Sequence, residues 1–413
     1  MQVIDKNFCE NPYPHYELLR AAGPIHWSTE FCGGAWLLTG YDDVLAVLRD
    51  PRFSTQRASR WINSSVSNRG TALSREDLGE LGVFKRIFAR SLMFLNGAHH
   101  RRLRKVMQAG FRPAALEAAA PRIKELVAEL TSHLKADLLD GRTVDFMDDF
   151  ARPLPAVVIG GLLGIDRTAE KEFITWSGQI AEFIGTPTPD ITVARRAQEG
   201  LAAMNAYFQQ LLADRRQWRR DDLIGQLISA KDADGSMTDK ELLAQCCTLL
   251  FAGHETTRNL LGTGTLHLLK NPDQYQSLRD NPGLMQAALK ELLRYDSPVQ
   301  FTGRVASCDI ELHGERIHKG DLVIPLIGAA NRDPSRFSQP NRLDFSRNES
   351  NHLSFGYGAH VCLGAMLSYM EGELAFTELI PLLPHLELVE KETNWTNNPV
   401  YRGLASLQVR MRH

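Results

Sequence analysis

The sequence predicts a mainly α fold with a small β portion, formed by residues 1–413 as a single domain. Three observations carry this. From about residue 97 to 300, apolar residues recur at helical spacing. Short alternating stretches with turn residues lie towards both ends of the chain. No internal repeat, low-complexity tract or long linker separates them. A hydrophobic content of 43% with 23% charged residues suits a soluble globular protein with a large core.

The elements follow in order. Two strands are expected first, Ile25–Ser28 and Ala35–Thr39, with Gly33-Gly34 in the turn between them. Residues 58–95 fit no element well: Ser, Asn and Gly are dense from Ser59 to Thr71, and a helical piece follows around Leu78–Ala89. Loops of that length in a compact domain are often functional. His99-His100-Arg101-Arg102-Leu103-Arg104-Lys105 is a basic run on a helix. Longer helices are expected over Ala114–Leu134 and Arg195–Gln217, and Pro187 and Pro189 break the pattern between them in Gly185–Asp190. Thr238-Asp239-Lys240-Glu241 is a capping-box pattern opening a helix that runs to Lys270-Asn271-Pro272. At ~1.5 Å per residue that helix spans roughly 48 Å, enough to cross the domain. A helix over Met285–Tyr295, a hairpin in Asp309–Leu326 turning at His313-Gly314, a helical run from Leu363 to Ile380 and a last strand in Leu404–Val409 complete the chain.

A formal net charge of −2 gives no support to nucleic-acid binding. No apolar run reaches the ~18 residues of a membrane span, and no basic-then-apolar signal opens the chain, so a cytoplasmic protein with no membrane partner is expected. The six cysteines, Cys9, Cys32, Cys246, Cys247, Cys308 and Cys362, show no C-x-x-C or framework spacing. Most read as small buried hydrophobes.

Cys362 is the exception. It follows two loop glycines in Phe355-Gly356-Tyr357-Gly358-Ala359-His360-Val361-Cys362-Leu363-Gly364 and precedes a helical run. Helix-terminal N–H groups favour negative charge, so the thiol is expected to become a thiolate. Glycines let backbone N–H groups approach the sulfur, and Gly364 lets something flat lie against the first turn. Such a cysteine suits an axial ligand of haem iron, with redox, other metal-binding and purely structural roles as alternatives. Zinc on His352, His360 and Cys362 lacks a fourth ligand of suitable spacing.

The middle of the long helix reads Ala252-Gly253-His254-Glu255-Thr256-Thr257. Gly253 costs about 1 kcal/mol relative to alanine there. Thr256 is placed to bond the Ala252 carbonyl and loosen the turn. The alternative is close packing at Gly253 and a satisfied core hydroxyl, but Glu255 beside them needs a reason, and a carboxylate with a hydroxyl makes a proton relay. Glu291 and Arg294 share a helix face, as an ion pair would. His100 and Arg104, at i and i+4, suit the two carboxylates of a haem.

Together these residues resemble the cytochrome P-450 superfamily of the soluble bacterial class, in order from about Asn11 to Val409. Phe355 to Gly364 satisfy F-G-x-G-x-H-x-C-x-G at every fixed position, and Ala252, Gly253, Glu255, Thr256 and Thr257 satisfy A-G-x-[DE]-T-[TS]. Glu291 and Arg294 fit the family's E-x-x-R pair, with Arg342 as the third member of its structural triad, and His100, Arg102, Leu103 and Arg104 fit H-x-R-L-R. The resemblance implies haem b between the long central helix and the cysteine-loop helix, with Cys362 as proximal thiolate. It implies propionate binding by His100, Arg104, Arg304 and His360, and Phe355 packed beside the sulfur. The implied reaction is monooxygenation of a hydrophobic small molecule with O₂, with Thr256 and Glu255 delivering protons. Hydroxylation in secondary metabolism or catabolism is expected, with epoxidation, desaturation or phenol coupling as alternatives, and a haem sensor or carrier as a further one. Electrons would come from a ferredoxin and an NAD(P)H-dependent ferredoxin reductase, with Arg101, Arg102 and Lys105 as candidates for docking an acidic donor and plain solubility as the competing reading of these charges. The family pattern places Thr248, Leu249, Ala252, Val299 and Phe301 around the substrate. The 58–95 segment and Phe183–Ile191 would gate that pocket, and Arg86 or Arg90 would meet a substrate carboxylate unless held in surface salt bridges.

Overall fold

The computed structural model describes residues 4–412, except 5, 32, 58–80, 187–190, 219, 221, 235–236, 350 and 391. The parts of the expected gating segments at 58–80 and 187–190 therefore lie outside the described residues.

Helices form the bulk, with three small sheets among the described residues. The first strands fall where alternation and the glycine turn put them: β1, Ile25–Ser28, pairs antiparallel with β2, Ala35–Leu38. With β3 (Phe53–Ser54), β5 (Arg304–Ala306) and β8 (Leu322–Pro325) they form a sheet of order β1-β2-β8-β5-β3, so early and late segments share one sheet. β2 and β8 run parallel, and the other pairings are antiparallel. The hairpin joins β6 (Ile310–Leu312) to β7 (Glu315–Ile317), and positive φ at His313 and Gly314 matches a two-residue turn. β4 (Val144–Asp145), β9 (Leu386–Leu388) and β10 (Gln408–Met411) make a third sheet of order β4-β10-β9. The last strand thus starts later than Leu404, which makes only an isolated bridge to Trp395.

The central helix, Asp239–Lys270, is continuous across its 32 residues and opens with the expected capping box. Thr238 Oγ1 accepts from the Glu241 N–H at 3.2 Å, and the Glu241 carboxylate accepts from the Thr238 N–H at 2.8 Å. The central helix packs against helices Pro153–Leu162, Glu170–Gly185, Ile191–Gln217 and Ala365–Leu379. A Cβ at Gly253 would come 3.0 Å from Ile159, so close packing explains the glycine, and the helix keeps its α geometry through it. Helix Met285–Tyr295 has the expected ends, and the helical pieces around residues 78–89 and 363–380 are observed as Gly82–Phe88 and Ala365–Leu379.

Candidate functional site

The cysteine loop is shaped by two glycines in left-handed conformation, Gly356 (φ 69°) and Gly358 (φ 73°). A Cβ at Gly358 would stand 3.3 Å from the backbone of Leu48 and Arg49, so the loop is pressed onto helix Tyr41–Arg49. The Cys362 N–H closes the loop on the Phe355 carbonyl at 2.8 Å.

A single residue joins this loop to the buried ion pair. Arg294 donates to Glu291 from Nε at 2.7 Å and Nη2 at 2.8 Å, and from Nη1 to the Asn331 carbonyl at 2.9 Å. The Asn331 side chain accepts from the Leu353 N–H at 2.7 Å and donates to Ser354 Oγ at 2.8 Å. The third arginine differs from expectation. Arg347, with its side chain 5% exposed, bonds Glu291 from Nε at 3.2 Å, whereas exposed Arg342 contributes only its backbone carbonyl. The chain between them curls so that Arg347, five residues on, points inward, which no spacing rule announced.

Cys362 faces a cavity of about 380 Å³. The central helix lines one wall with Leu249, Ala252, Gly253, Glu255, Thr256 and Thr257. The loop lines another with Phe355, Gly356, His360, Cys362, Leu363 and Gly364. A side chain at Gly364 would meet nothing closer than Phe111 at 3.9 Å, so this glycine keeps the wall beside the sulfur flat. Val299, Phe301 and Arg304 also line the cavity. Thr248 does not: its hydroxyl bonds Ser91 at 2.9 Å and the Ala244 carbonyl at 2.7 Å, turned away by those partners. Arg86 and Arg90 are not among the lining residues either, and Arg90 donates to the Arg86 carbonyl at 2.7 Å. A smaller hollow of about 270 Å³ behind Gly160 and Gly161 holds no cysteine and lies apart from this chemistry.

Four basic residues named from sequence gather at one edge. The rings of His100 and His360 lie 4.0 Å apart. Burial, then His100 and Arg304 beside it, holds the His360 imidazole down to about 3. Burial, then Arg57, brings Arg304 down to about 9. Arg304 is 6% exposed and donates to the Gly303 carbonyl at 2.9 Å and to Thr302, with no carboxylate partner among the described residues. His100 Nε2 is buried without a partner, and burial lowers Arg104 as well. The buried Arg304 cation, the half-buried Arg104 and an orphaned imidazole nitrogen at one edge fit a ligand carrying carboxylates. Arg57, which the sequence reading missed, lines the same cavity with its guanidinium 5.1 Å from the Phe94 ring. A lone arginine beside an unpatterned stretch carries no signal in sequence.

The thiolate expectation needs correction for the protein alone. Cys362 has accessible surface, but that surface is the cavity wall. Burial raises the thiol above its usual value, and the Gly364 N–H and Arg104 only partly oppose it. Helix Ala365–Leu379 begins three residues on, so its terminal N–H groups reach the sulfur less than expected.

Glu255 and Thr256 both line the cavity, yet no hydrogen bond joins them among the described residues. Thr256 Oγ1 donates to the Ala252 carbonyl at 3.1 Å, as expected, and Glu255 pairs with Arg258 at 3.1 Å. Glu371 is a second carboxyl that sequence did not single out. It lines the cavity at 1% exposure, has one oxygen without a partner, and burial keeps it well above the usual carboxylate range.

Comparison with known proteins bears on this arrangement. Residues 75–282 and 283–394 match the family profile described as Cytochrome P-450. The chain is 35% identical to the biotin biosynthesis cytochrome P-450 of Bacillus subtilis, over 98% of each chain. It is 36% identical to the cytochrome P-450 monooxygenase PikC of Streptomyces venezuelae, over 99% of this chain and 93% of that one. In three dimensions it matches the crystal structure of P-450 BioI in complex with an acyl carrier protein bearing hexadec-9Z-enoic acid. That match has a TM-score of 0.87 at 32% identity, over 98% of this chain and 99% of the other.

Proposed function

The chain belongs to the cytochrome P-450 family, and on that premise we propose that Cys362 would hold the haem iron as a thiolate and that Thr256 and Glu255, which line the same cavity, manage protons. It is a monooxygenase with haem b as cofactor, taking a small-molecule substrate and electrons from redox partners. Bound haem b supplies the activation of O₂, one atom entering the substrate and the other leaving as water.

The observation that carries the reading is a cavity-facing cysteine with the buried Arg304 guanidinium, which has no carboxylate partner among the described residues, and the unpartnered His100 Nε2 nearby. In this reading His100, Arg104, Arg304 and His360 take the propionates, and Phe355 and Gly364 flank the ring. The residues' own tasks follow. Thr256 spends its proton on the Ala252 carbonyl, which leaves the Oγ1 lone pairs free to accept from and hold a water. Glu255, held by Arg258, supplies the carboxylate through which protons pass. Leu249, Ala252, Val299 and Phe301 exclude water and favour a substrate with a sizeable hydrophobic part. Hydroxylation in secondary metabolism or catabolism is the reaction proposed, with epoxidation, desaturation or phenol coupling on the same residues as the second reading.

The proposed electron supply is a ferredoxin with an NAD(P)H-dependent ferredoxin reductase, in the cytoplasm. Three large hydrophobic residues are exposed in and just beyond the cysteine loop, Tyr357, Val361 and Met366. Arg101 and Lys105 are exposed on the helix carrying His100, and these charges suit an acidic donor. Arg102 is engaged with Glu241 at 2.5 Å and is less suited to docking than the sequence implied. Residues 1–413 are taken as one domain, since strands from both ends of the chain meet in one sheet.

The absorption spectrum of the reduced, carbon monoxide-bound protein tests the core of the reading. The thiolate-type Soret band should be present and should vanish in Cys362→Ser; a band retained in that variant would overturn it. Spin-state titration against a compound library then narrows the substrate.

A further inference from the structure

His254 sits between Gly253 and Glu255, which line the cavity, yet is not itself a lining residue. It is 1% exposed, and neither ring nitrogen makes a hydrogen bond of full geometry among the described residues, although the Arg152 backbone lies close enough to favour the charged ring. Its Nδ1 lies 3.6 Å from Glu255 Oε1, just beyond hydrogen-bond length. The other Glu255 oxygen faces Arg258 Nη2 at 3.1 Å, and Arg258 in turn donates to Asn259 Oδ1 at 3.0 Å and 3.2 Å. Asn259 is fully buried and its Nδ2 is also without a partner. Three orphaned polar atoms thus lie within two turns of one helix. An aliphatic side chain at position 254 would avoid burying the two ring nitrogens without partners. Sites of this kind hold ordered water.

The way out from His254 is short. The Arg152 backbone lies beside the imidazole, just after a single π turn, Met147–Ala151, that packs against the central helix. The Arg152 side chain pairs with Asp148, with 28% and 55% of the side chains exposed, so solvent begins there.

We propose that His254 is the positioning residue that passes protons from water, held between its ring, Asn259 and the Arg152 turn, to the carboxylate of Glu255. The proposal rests on the reading of Glu255 as the proton carrier. Each turnover converts R–H, O₂, two electrons and two protons to R–OH and H₂O: C–H and O–O bonds break, C–O and O–H bonds form. Glu255 is 4% exposed and must be recharged each time. Arg258 cannot do this, because a guanidinium does not give up its proton. Tyr401 keeps its own, since burial raises the phenol and the Glu255 charge raises it further. Burial holds the His254 imidazole down to about 4, so it rests neutral. It passes a proton by accepting at one nitrogen and releasing from the other. A small rotation of either side chain closes the 3.6 Å gap.

The test uses the full-length holoenzyme with ferredoxin, ferredoxin reductase and NADPH, reading O₂ consumption in H₂O and D₂O without added substrate. His254→Phe keeps a flat ring and removes both nitrogens; His254→Gln keeps polarity without acid–base exchange. Both variants should retain the parent's reduced carbon monoxide spectrum. Both should lose about tenfold in rate, below the range for a group acting directly, with a larger solvent isotope effect. Neither should add a loss in the Glu255→Gln background. Parent-like rates and isotope effects in either variant, or a further tenfold loss on top of Glu255→Gln, overturn the proposal. An inert Glu255→Gln overturns the underlying relay reading as well; an impaired Glu255→Gln with inert His254 variants overturns this inference alone. Crystals of the holoenzyme give a readout apart from turnover: ordered water at His254 Nε2 and Asn259 Nδ2 is expected, and dry apolar contact at both overturns the route.

Discussion

Cys362 and Thr256 both line the cavity as small polar groups whose surroundings decide their chemistry. Around the sulfur, burial outweighs the Gly364 N–H and Arg104, so the bare chain favours the thiol. Cys362 would be deprotonated as a ligand of a bound haem iron, because a coordinating thiol loses its proton outright. Thr256 is fixed by its bond to Ala252, and an alanine there keeps the helix but removes the acceptor that holds water. Thr256→Ala is expected to consume reduced cofactor with a rise in peroxide released per equivalent, while Thr256→Ser keeps most of the coupling; a peroxide assay against product formation checks this. These residues were readable from sequence because their types at their spacing carry the chemistry. Arg57, Asn331 and Glu371 were not, since each acts through neighbours distant in the chain.

Helix Met285–Tyr295 holds the cysteine loop through hydrogen bonds rather than through apolar packing alone. Glu291 fixes Arg294, Arg294 fixes Asn331, and Asn331 takes the Leu353 N–H. Arg347 completes the set by bonding Glu291 and the Ser338 carbonyl, the latter at 2.6 Å. Glu291 keeps Arg294 when Arg347 is lost, so Arg347→Ala strands no charge but removes charge-assisted hydrogen bonds and should destabilise by about 1.5–3 kcal/mol. Arg342→Ala removes only an exposed side chain and should fall within about 0.5 kcal/mol of the parent. Urea unfolding of both variants checks the assignment, and the reverse order would restore Arg342 to the triad. The central helix shows the same limit of sequence. Its length and cap were legible, but the reason for Gly253 is Ile159, a residue on another helix.

Across the whole molecule, Asp296 draws the chain ends together. It accepts from Arg402 Nε at 2.6 Å and Tyr13 Oη at 2.8 Å, and lies 2.8 Å from His267 Nε2. Arg402 also donates to the Cys9 and Glu10 carbonyls at 2.9 Å and 3.0 Å. Burial alone would raise the Asp296 carboxyl, but Arg402 and His267 hold it below the usual range. Asp296→Asn should therefore cost about 3–5 kcal/mol, measured by thermal and urea unfolding. Stability should also vary with pH in two opposed ways. His352, at about 3, and His254, at about 4, stay neutral when folded, while the unfolded chain takes up protons below 6.5. Stability should thus fall as the pH drops from 6.5 towards 4. Glu371 is raised, so above 4.5 the unfolded chain releases a proton that the folded one keeps, and stability falls as pH rises. Glu371→Gln should gain on the parent as the pH rises above 4.5, and urea melts at rising pH check the sign. The sequence by itself determined the helical frame, the cysteine loop, the capped central helix and the identity of the reactive pairs. Periodicity, caps and motif spacing are local, and a local pattern is enough to define them. Only the tertiary structure decided that Arg347 rather than Arg342 meets Glu291, that Thr248 turns from the cavity, and that Arg57 and Glu371 enter it. Those outcomes depend on which distant segments burial brings together, and on which polar groups are left there to satisfy one another.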